Sequence, residues 1–471
     1  MKLPVPSAAV GSALLVLSTL VLSTLVMPPP AGAAGPAAAA PAAGRVARAA
    51  PGRAAHPGAT AQERRLQVVG HSAVGGGGFN AGVFGHRHFA YVGVFGGDPA
   101  AGTPCPASGV KVVDYRDPRT PKLVSVLPSP RLTSAEEVVV RSVRTRAFSG
   151  DLAVVGIQAC GGRRRVFRGL ALFDVTLPYR PRRLGRWAVP SPAGGCRGVD
   201  LVQRGDGRVL AGCAAPVAEQ VRAGDEVNLV DATDPRRPVK AGGWRLGRDL
   251  GTDPRRGVGC YRAALADGVR FADRGRRVYA SYWDAGTIDL DLRDPARPRF
   301  AGRTVVTPPD EDGDNHSVAL GKDGKVLLVD SEDFSPLDCP GARRFGAWGR
   351  VHLYDGRDRD GTALLGNFST ANSRSRRTDG LYSVHETEVV RDTQAFSAWY
   401  SDGVVWWTLA KPRHPRLVGQ FVPPAGRDPR GFFPAVPLVW GVHPVGDGKL
   451  VLASDVNTGL WILKPEGLGR P

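Results

Sequence analysis

Long apolar runs and recognisable catalytic motifs are both scarce in this chain. After residue 27 no stretch reaches the roughly 18 to 20 apolar residues that a membrane-spanning helix needs, so we expect no transmembrane segment in the mature protein. The sequence also has no CxxC spacing, HExxH motif, nucleophile elbow or phosphate-binding loop. These absences argue against catalytic or metal-binding cysteines and leave no familiar enzyme signature.

Acidic residues are too few to balance the basic ones. The chain has 62 Lys and Arg against 44 Asp and Glu, a formal net charge of +18. A field of this sign favours acidic partners, and we expect an anionic cell-surface polymer or an extracellular protein. A general compositional bias toward Arg would produce the same excess. No basic run is interleaved with aromatic residues, so we expect no nucleic acid partner.

The first 61 residues have the pattern of export and spacer sequence. Residues 1–34 contain a basic residue, an apolar stretch from Ala13 to Met27 and small residues suited to signal-peptidase cleavage, which predicts a secretory signal peptide. Residues 35–61 are almost wholly Ala, Pro, Gly and Arg, which predicts a disordered tether. We therefore expect a secreted or cell-surface protein whose folded part is residues 62–471.

One unit recurs along the folded part: an apolar strand ending in Asp, a turn with two prolines, and a second short strand. Asp caps such a turn, the first Pro fixes its φ angle, and the second begins an edge strand, where it donates no hydrogen bond. The copies are VKVVDYRDPRTPKLVSVL from Val110, LALFDVTLPYRPRRLGRW from Leu170, VNLVDATDPRRPVKAGGW from Val227, IDLDLRDPARPRFAGR from Ile288, the weaker VHLYDGRDRDGTALLGNF from Val351 and VVWWTLAKPRHPRLVGQF from Val404, and a truncated LWILKPEG from Leu460.

A second, less regular pair of strands precedes each copy, as in HSVALGKDGKVLLVD and GVHPVGDGKLVLASD. Four strands per unit and seven units predict an all-β fold, a seven-bladed β-propeller of four-stranded antiparallel blades. The last unit stops after its third strand, whereas RLQVVGH (65–71) has the outer-strand pattern of PRLVGQF (415–421). We therefore predict that the N-terminal strand completes the last blade and closes the ring.

The repeats, together with GHSAVGGGGFNAGVF, SYWDAG, WYSDG and ASDVNTGLWIL, resemble the secreted LVIVD-repeat proteins over about residues 64–465. The resemblance implies a seven-bladed propeller. It implies no particular reaction, so the function has to be argued from individual residues.

The strand order divides the propeller into two faces. If strands a to d run from the centre to the rim, the a–b and c–d turns share one face, here called the turn face. The b–c loops and d–a connections share the other, here called the loop face. Several loop-face segments are long and irregular, so we expect partners to bind there.

All six cysteines fall on the predicted loop face. In an exported protein an even number of cysteines predicts disulfides, although six cysteines allow fifteen connectivities. The proximity of neighbouring loops suggests the pairs Cys105–Cys160, Cys196–Cys213 and Cys260–Cys339.

Two histidines fall at the same position, where the inner strand begins: His316 in the fifth unit and His385 in the sixth. Counting back from the b strands places Asn80, Glu137 and Trp440 at this position in three other units. Two imidazoles and the Glu137 carboxylate are suitable ligands for a Zn, Cu or Fe ion at the channel mouth. The alternative is that both histidines hydrogen-bond to the backbone between converging inner strands.

Acidic residues follow several b strands on the same face and would suit calcium or acid–base chemistry. Asp followed closely by Gly is also ordinary turn chemistry, which gives these residues a structural alternative. The members of this set are Asp284, Glu332, Asp333, Asp402 and Asp455.

The sequence favours a monomeric extracellular binding or scaffold module that uses its loop face, since it has no recognisable catalytic motif. The alternative is a metal-dependent enzyme with a site at the channel mouth around His316 and His385.

Overall fold

The computed structural model of the protein describes residues 62–97, 104–106, 109–160, 166–190, 194–216, 224–251, 264–304, 313–338, 347–358 and 363–468. The predicted signal peptide and tether lie outside these residues, as do Cys260 and Cys339. Among the described residues, no helix has the length and apolar character needed to cross a membrane.

Seven antiparallel sheets form the blades of a β-propeller, which confirms the predicted fold. The first two strands of the chain are β1 (Gln62–Arg64) and β2 (Leu66–Ser72). Blade one contains β3 (Asn80–His86), β4 (Phe89–Val94), β5 (Gly109–Asp114) and β6 (Lys122–Pro128). Blade two contains β7 (Thr133–Ser134), β8 (Val138–Arg144), β9 (Ser149–Ala159), β10 (Gly169–Asp174) and β11 (Arg182–Ala188). Blade three contains β12 (Val199–Gln203), β13 (Val209–Ala214), β14 (Val227–Asp231) and β15 (Val239–Trp244).

Blades four to seven repeat the same antiparallel order. Blade four contains β16 (Ala266–Ala272), β17 (Arg277–Tyr282), β18 (Gly286–Asp291) and β19 (Arg299–Arg303), and blade five contains β20 (Asn315–Gly321), β21 (Val326–Ser331), β22 (Val351–Asp355) and β23 (Leu364–Phe368). Blade six contains β24 (Glu386–Val390), β25 (Gln394–Ala398), β26 (Val404–Thr408) and β27 (Arg416–Val422). Blade seven contains β28 (Val439–Val445), β29 (Leu450–Asp455) and β30 (Gly459–Pro465). The helical segments described are short: α1 (Leu246–Asp249), α2 (Ser335–Asp338) and a 3₁₀ turn (Asp273–Gly275).

The N-terminal strand closes the ring as predicted. Strand β2 pairs antiparallel with β30 and becomes the outer strand of blade seven. Strand β1 additionally pairs with β27 of blade six, which the sequence did not predict. Leu66 is fully buried in the apolar cluster that blades six and seven share. One segment therefore links two blades.

The repeated glycine of the outer strand marks a close contact between blades. A Cβ at Gly70 would lie 1.9 Å from the carbonyl oxygen of Pro118, which belongs to the turn of the next blade. A Cβ at Gly242 would lie 2.0 Å from the Pro295 carbonyl oxygen in the same arrangement. The proline turn of each such repeat thus packs on the backbone of the preceding blade, and a side chain at these glycines would separate the two.

Two of the three expected disulfides lie within the described residues. Cys105 is bonded to Cys160, which joins loops of blades one and two. Cys196 is bonded to Cys213, which joins the segment before β12 to β13 within blade three. Disulfides of this kind are typical of oxidising compartments.

Candidate metal centre at the channel mouth

The inner strands share a local irregularity at their first residues. In blades one, four, five and seven the register with the b strand shifts there, so the inner strand contains one extra residue. In blade three the amide of Arg197 donates to the carbonyl of Ala214, whose own amide donates to the carbonyl of Gly198. Bulges of this kind redirect side chains. The residues at this position are Ala81, Glu136, Arg197, Asp267, His316, His385 and Trp440.

This irregularity corrects the predicted register in two blades. Asn80 and Glu137 each lie one residue away from the position that the sequence count gave them, because the extra residue is not visible in the count. The count also missed Arg197 and Asp267 in blades three and four. Arg197 and Asp267 are each followed by Gly, as Trp440 is. This shared glycine is the sequence signal that would have identified their position.

His316 and His385 come together with Glu332, which follows β21. The centroids of the two imidazole rings are 4.1 Å apart. Nε2 of His316 lies 3.9 Å from Oε2 of Glu332, and Nε2 of His385 lies 3.9 Å from Oε1 of the same carboxylate. One potential ligand atom from each residue lies within 4.8 Å of the other two. The third member of the set is therefore Glu332 rather than Glu137.

Several polar atoms of this set lack hydrogen-bond partners among the described residues. Both ring nitrogens of His385, Nδ1 of His316 and Oε2 of Glu332 are buried without one, apart from marginal contacts of the two rings with neighbouring backbone. A buried polar group without a partner costs roughly 1 to 3 kcal/mol. The ring of His316 faces the backbone of His385, and the ring of His385 faces the backbone of Trp440, which are contacts of the kind that the predicted alternative describes.

A buried arginine lies next to the three residues. Arg197 forms a salt bridge with Asp267, and its Nη1 lies 3.6 Å from Oε2 of Glu136. Oδ2 of Asp267 lies 3.2 Å from Nε2 of His316. Arg197 thus supplies the positive charge next to two buried carboxylates, which would otherwise have no counter-ion in the protein interior.

Burial shifts the pKa values of the site in opposite directions for acids and bases. Burial raises the pKa of Glu332 to about 8 and that of Asp267 to about 6, against the opposing effect of Arg197. Burial and the charge of Arg197 lower the pKa of His316 to about 3. Burial and His316 hold the pKa of His385 well below its usual range. The imidazoles are neutral and the neighbouring carboxyls bind protons tightly. A metal cation that binds at such a site takes the place of a carboxyl proton.

Aromatic side chains fix the orientation of His385 and Glu332. Tyr400 donates a hydrogen bond from its hydroxyl to Oε1 of Glu332. The ring of Trp440 lies 4.6 Å from that of His385, and the ring of Tyr400 lies 5.5 Å from it. These contacts limit the rotation of two potential ligands.

Glu137 lies elsewhere on the channel wall, where it forms a carboxyl pair with Glu386. Burial and the charge of Glu136 raise the pKa of Glu137 to about 8. Burial and Glu137 raise the pKa of Glu386 well above its usual range, and its Oε1 accepts a hydrogen bond of 2.9 Å from the amide of Val442. Both carboxyls therefore hold their protons to a higher pH than usual, and neither belongs to the histidine set.

The remaining acidic candidates hold loops in place. Asp455 accepts hydrogen bonds from the amides of Leu438 and Thr458, and Asp402 accepts from the side chains of Thr370 and Asn372. Asp333 accepts from the amide of Ser335, and Asp284 faces the amide of Asp314 at 3.4 Å. Among the described residues these acids form no shared cluster with the histidines, in agreement with turn chemistry.

Asn80 is a structural bridge between blades one and seven. Its Nδ2 donates hydrogen bonds of 3.2 Å to the carbonyls of Asp455 and Val456. Its Oδ1 accepts a hydrogen bond of 2.7 Å from Nζ of Lys111. The side chain is fully buried and is therefore not a binding surface.

No protein-family model matches the chain, and no curated protein has a significantly similar sequence.

Proposed function

We propose that this chain is an exported propeller that holds a divalent transition-metal ion at its channel mouth, with His316, His385 and Glu332 as ligands. The observation that carries the proposal is the convergence of these side chains from neighbouring blades, with Nδ1 of His316 and both ring nitrogens of His385 buried without a hydrogen-bond partner among the described residues. Neutral imidazole and carboxylate are the ligands that such ions prefer.

The ligand set resembles a catalytic metal site more than a structural one. Two histidines and one carboxylate leave coordination positions free, as in zinc hydrolases and non-haem iron oxygenases, whereas structural zinc sites are closed by four protein ligands. The adjoining cavity has a volume of about 100 Å³, which leaves room for water or a very small molecule beside the ion. The free coordination positions support the proposal that the chain is a metal-dependent enzyme.

Other side chains of the site have supporting roles in this proposal. Tyr400 positions the Glu332 carboxylate through its hydrogen bond, and Arg197 holds Asp267 next to His316. Partners of this kind orient metal ligands and tune their basicity. The low pKa values of the histidines keep both rings neutral, which spares the proton loss that metal binding otherwise requires.

Export is part of the same proposal. The apolar N-terminal segment supports secretion, and the repeats support membership of the LVIVD-repeat proteins. The two disulfides, Cys105–Cys160 and Cys196–Cys213, suit an extracellular location.

The second candidate is an extracellular binding or scaffold module that uses the loop face without metal. Its support is the length of the loop-face segments and the propeller fold, which commonly serves as a binding platform. The two candidates make different predictions about bound metal.

Elemental analysis of the purified, untagged protein tests the proposal. We expect about one zinc or iron per chain, lost in the double variant His316→Ala, His385→Ala while circular dichroism reports an intact β fold. His414→Ala is the matched control, because His414 is an exposed histidine on the turn face. Protein that contains no metal and binds none on reconstitution would leave the binding module as the better account.

A further inference from the structure

Many acidic side chains of the turn face form salt bridges or hydrogen bonds within their own turns. At the start of the c–d turns, Asp114 forms a salt bridge with Arg116, and Asp355 forms one with Arg357. Asp291 likewise pairs with Arg293. The second Asp of these turns accepts a backbone hydrogen bond instead, as when Asp117 accepts from the amide of Arg119. These carboxylates keep their charge but are outnumbered: the turn of blade one carries Arg116, Arg119 and Lys122 against Asp114 and Asp117.

A set of exposed cations remains at the tips of the c–d turns and the start of the outer strands. Within the described residues none of them forms a salt bridge. The set, here called the turn-face cations, comprises Arg119, Lys122, Arg180, Arg183, Arg237, Arg297, Arg299, Lys411, Arg413 and Arg416. Its members come from five of the blades, so the positive charge is distributed around the ring.

The a–b turns add cations to the same face, because a–b and c–d turns lie on one side of an antiparallel blade. Exposed examples in the described chain are Arg144, Arg146, Arg274, Arg276, Lys325 and Lys449. Salt bridges occur on both faces: on the loop face Arg197 pairs with Asp267, Arg248 with Asp249, and Arg377 with Asp379. The exposed cations of the a–b turns and the turn-face cations together give the described part of the turn face a positive surface.

Exposed apolar side chains accompany the turn-face cations. Leu123 follows Lys122, Phe300 follows Arg299, and Leu417 follows Arg416, and each of these apolar side chains is about two-fifths exposed. A cation next to an apolar surface suits a chain molecule that alternates charged groups with a carbon backbone. A single small anion would contact only one turn.

We propose that the turn face binds a linear polyanion whose charges are phosphate or carboxylate groups. Arg matches both groups with two parallel hydrogen bonds. A polymer that reaches several blades gains affinity through simultaneous contacts, which a monovalent anion cannot. The site is independent of the metal centre, and it lies on the face opposite to the one that the sequence favoured for an anionic partner.

Binding to defined polymers in a chelating buffer tests this proposal. The probes are long-chain polyphosphate and polyglutamate, with neutral dextran and tripolyphosphate for comparison. We expect one or both long polyanions to bind the wild type with an affinity that falls steeply with salt. Dextran is expected not to bind, and tripolyphosphate to bind at least tenfold more weakly than the long polymer. Equal affinity for tripolyphosphate would overturn the multivalent surface.

A pair of charge-matched variants locates the site. The variant Arg119→Ser, Arg180→Ser, Arg413→Ser removes three turn-face cations, and Arg131→Ser, Arg374→Ser, Arg427→Ser removes three exposed cations of the loop face. We expect the first to lose about tenfold or more in affinity and the second less than twofold. Equal losses would mean that only net charge matters, and no binding at low salt would refute the surface. Because chelator is present throughout, neither result depends on the metal.

Discussion

The imidazole rings of His316 and His385 lie 4.1 Å apart although they come from different blades. Two cationic imidazoles at this separation would repel each other, and the low pKa values keep both neutral. Neutral rings beside the Glu332 carboxyl form a set of donor atoms suited to a cation.

Removing the charge of Glu332 should weaken metal binding. We expect Glu332→Gln to lower zinc affinity by more than about tenfold, because a neutral amide is a poorer ligand than a carboxylate. Titration against a chromophoric chelator measures the change. Asp402→Asn is the control, since Asp402 holds a loop on the same face and should leave zinc affinity within twofold.

The sequence predicted the fold far better than the site. Apolar strands, Asp–Pro turns and the outer-strand pattern of residues 65–71 are local signals, and the structure has the blades and the closing strand they predict. The site depends on an extra residue in the inner strands, and a pattern of period two does not reveal such a residue. His316 and His385 were identified because their blades align well, whereas Arg197 and Asp267 come from blades whose inner strands were not aligned.

Replacing the buried arginine should destabilise the propeller. Arg197→Met leaves Asp267 and Glu136 without their counter-ion, so we expect a loss of about 3 to 5 kcal/mol in the free energy of unfolding. Denaturant unfolding measures it. The exposed pair offers a comparison: Arg182→Met, which removes the partner of Asp174, should cost no more than about 1 kcal/mol. Equal losses would show that the Arg197 cluster contributes no more than a surface pair.

The closing strand should contribute strongly to stability. Leu66 is fully buried between blades six and seven, and Leu66→Ala is expected to cost about 2 to 5 kcal/mol. Its neighbour Gln67 is exposed, so Gln67→Ala should change stability by less than about 0.5 kcal/mol. Thermal and denaturant unfolding of both variants distinguish the two. A Leu66→Ala protein as stable as wild type would contradict the closure of the ring by β2.

Lys111 should make stability depend on alkaline pH. Burial lowers its pKa to about 8, whereas the unfolded chain keeps the ordinary value of 10.5. Between these two values the unfolded state binds more protons, so this residue makes stability rise as the pH increases from about 8 toward 10.5. Below about 8 the full cost of the buried charge is present. Unfolding free energies measured at pH 7.5 and 9.5 should differ less in Lys111→Met, and an unchanged difference would contradict the assignment.

Anomalous diffraction from crystals grown with zinc tests the central claim most directly. We predict one anomalous peak per chain at the channel mouth, within about 2.0 to 2.2 Å of a nitrogen of His316, a nitrogen of His385 and an oxygen of Glu332. A peak bound by other residues would contradict the proposed metal centre. So would the absence of a peak at these three side chains in protein that binds one zinc per chain in solution.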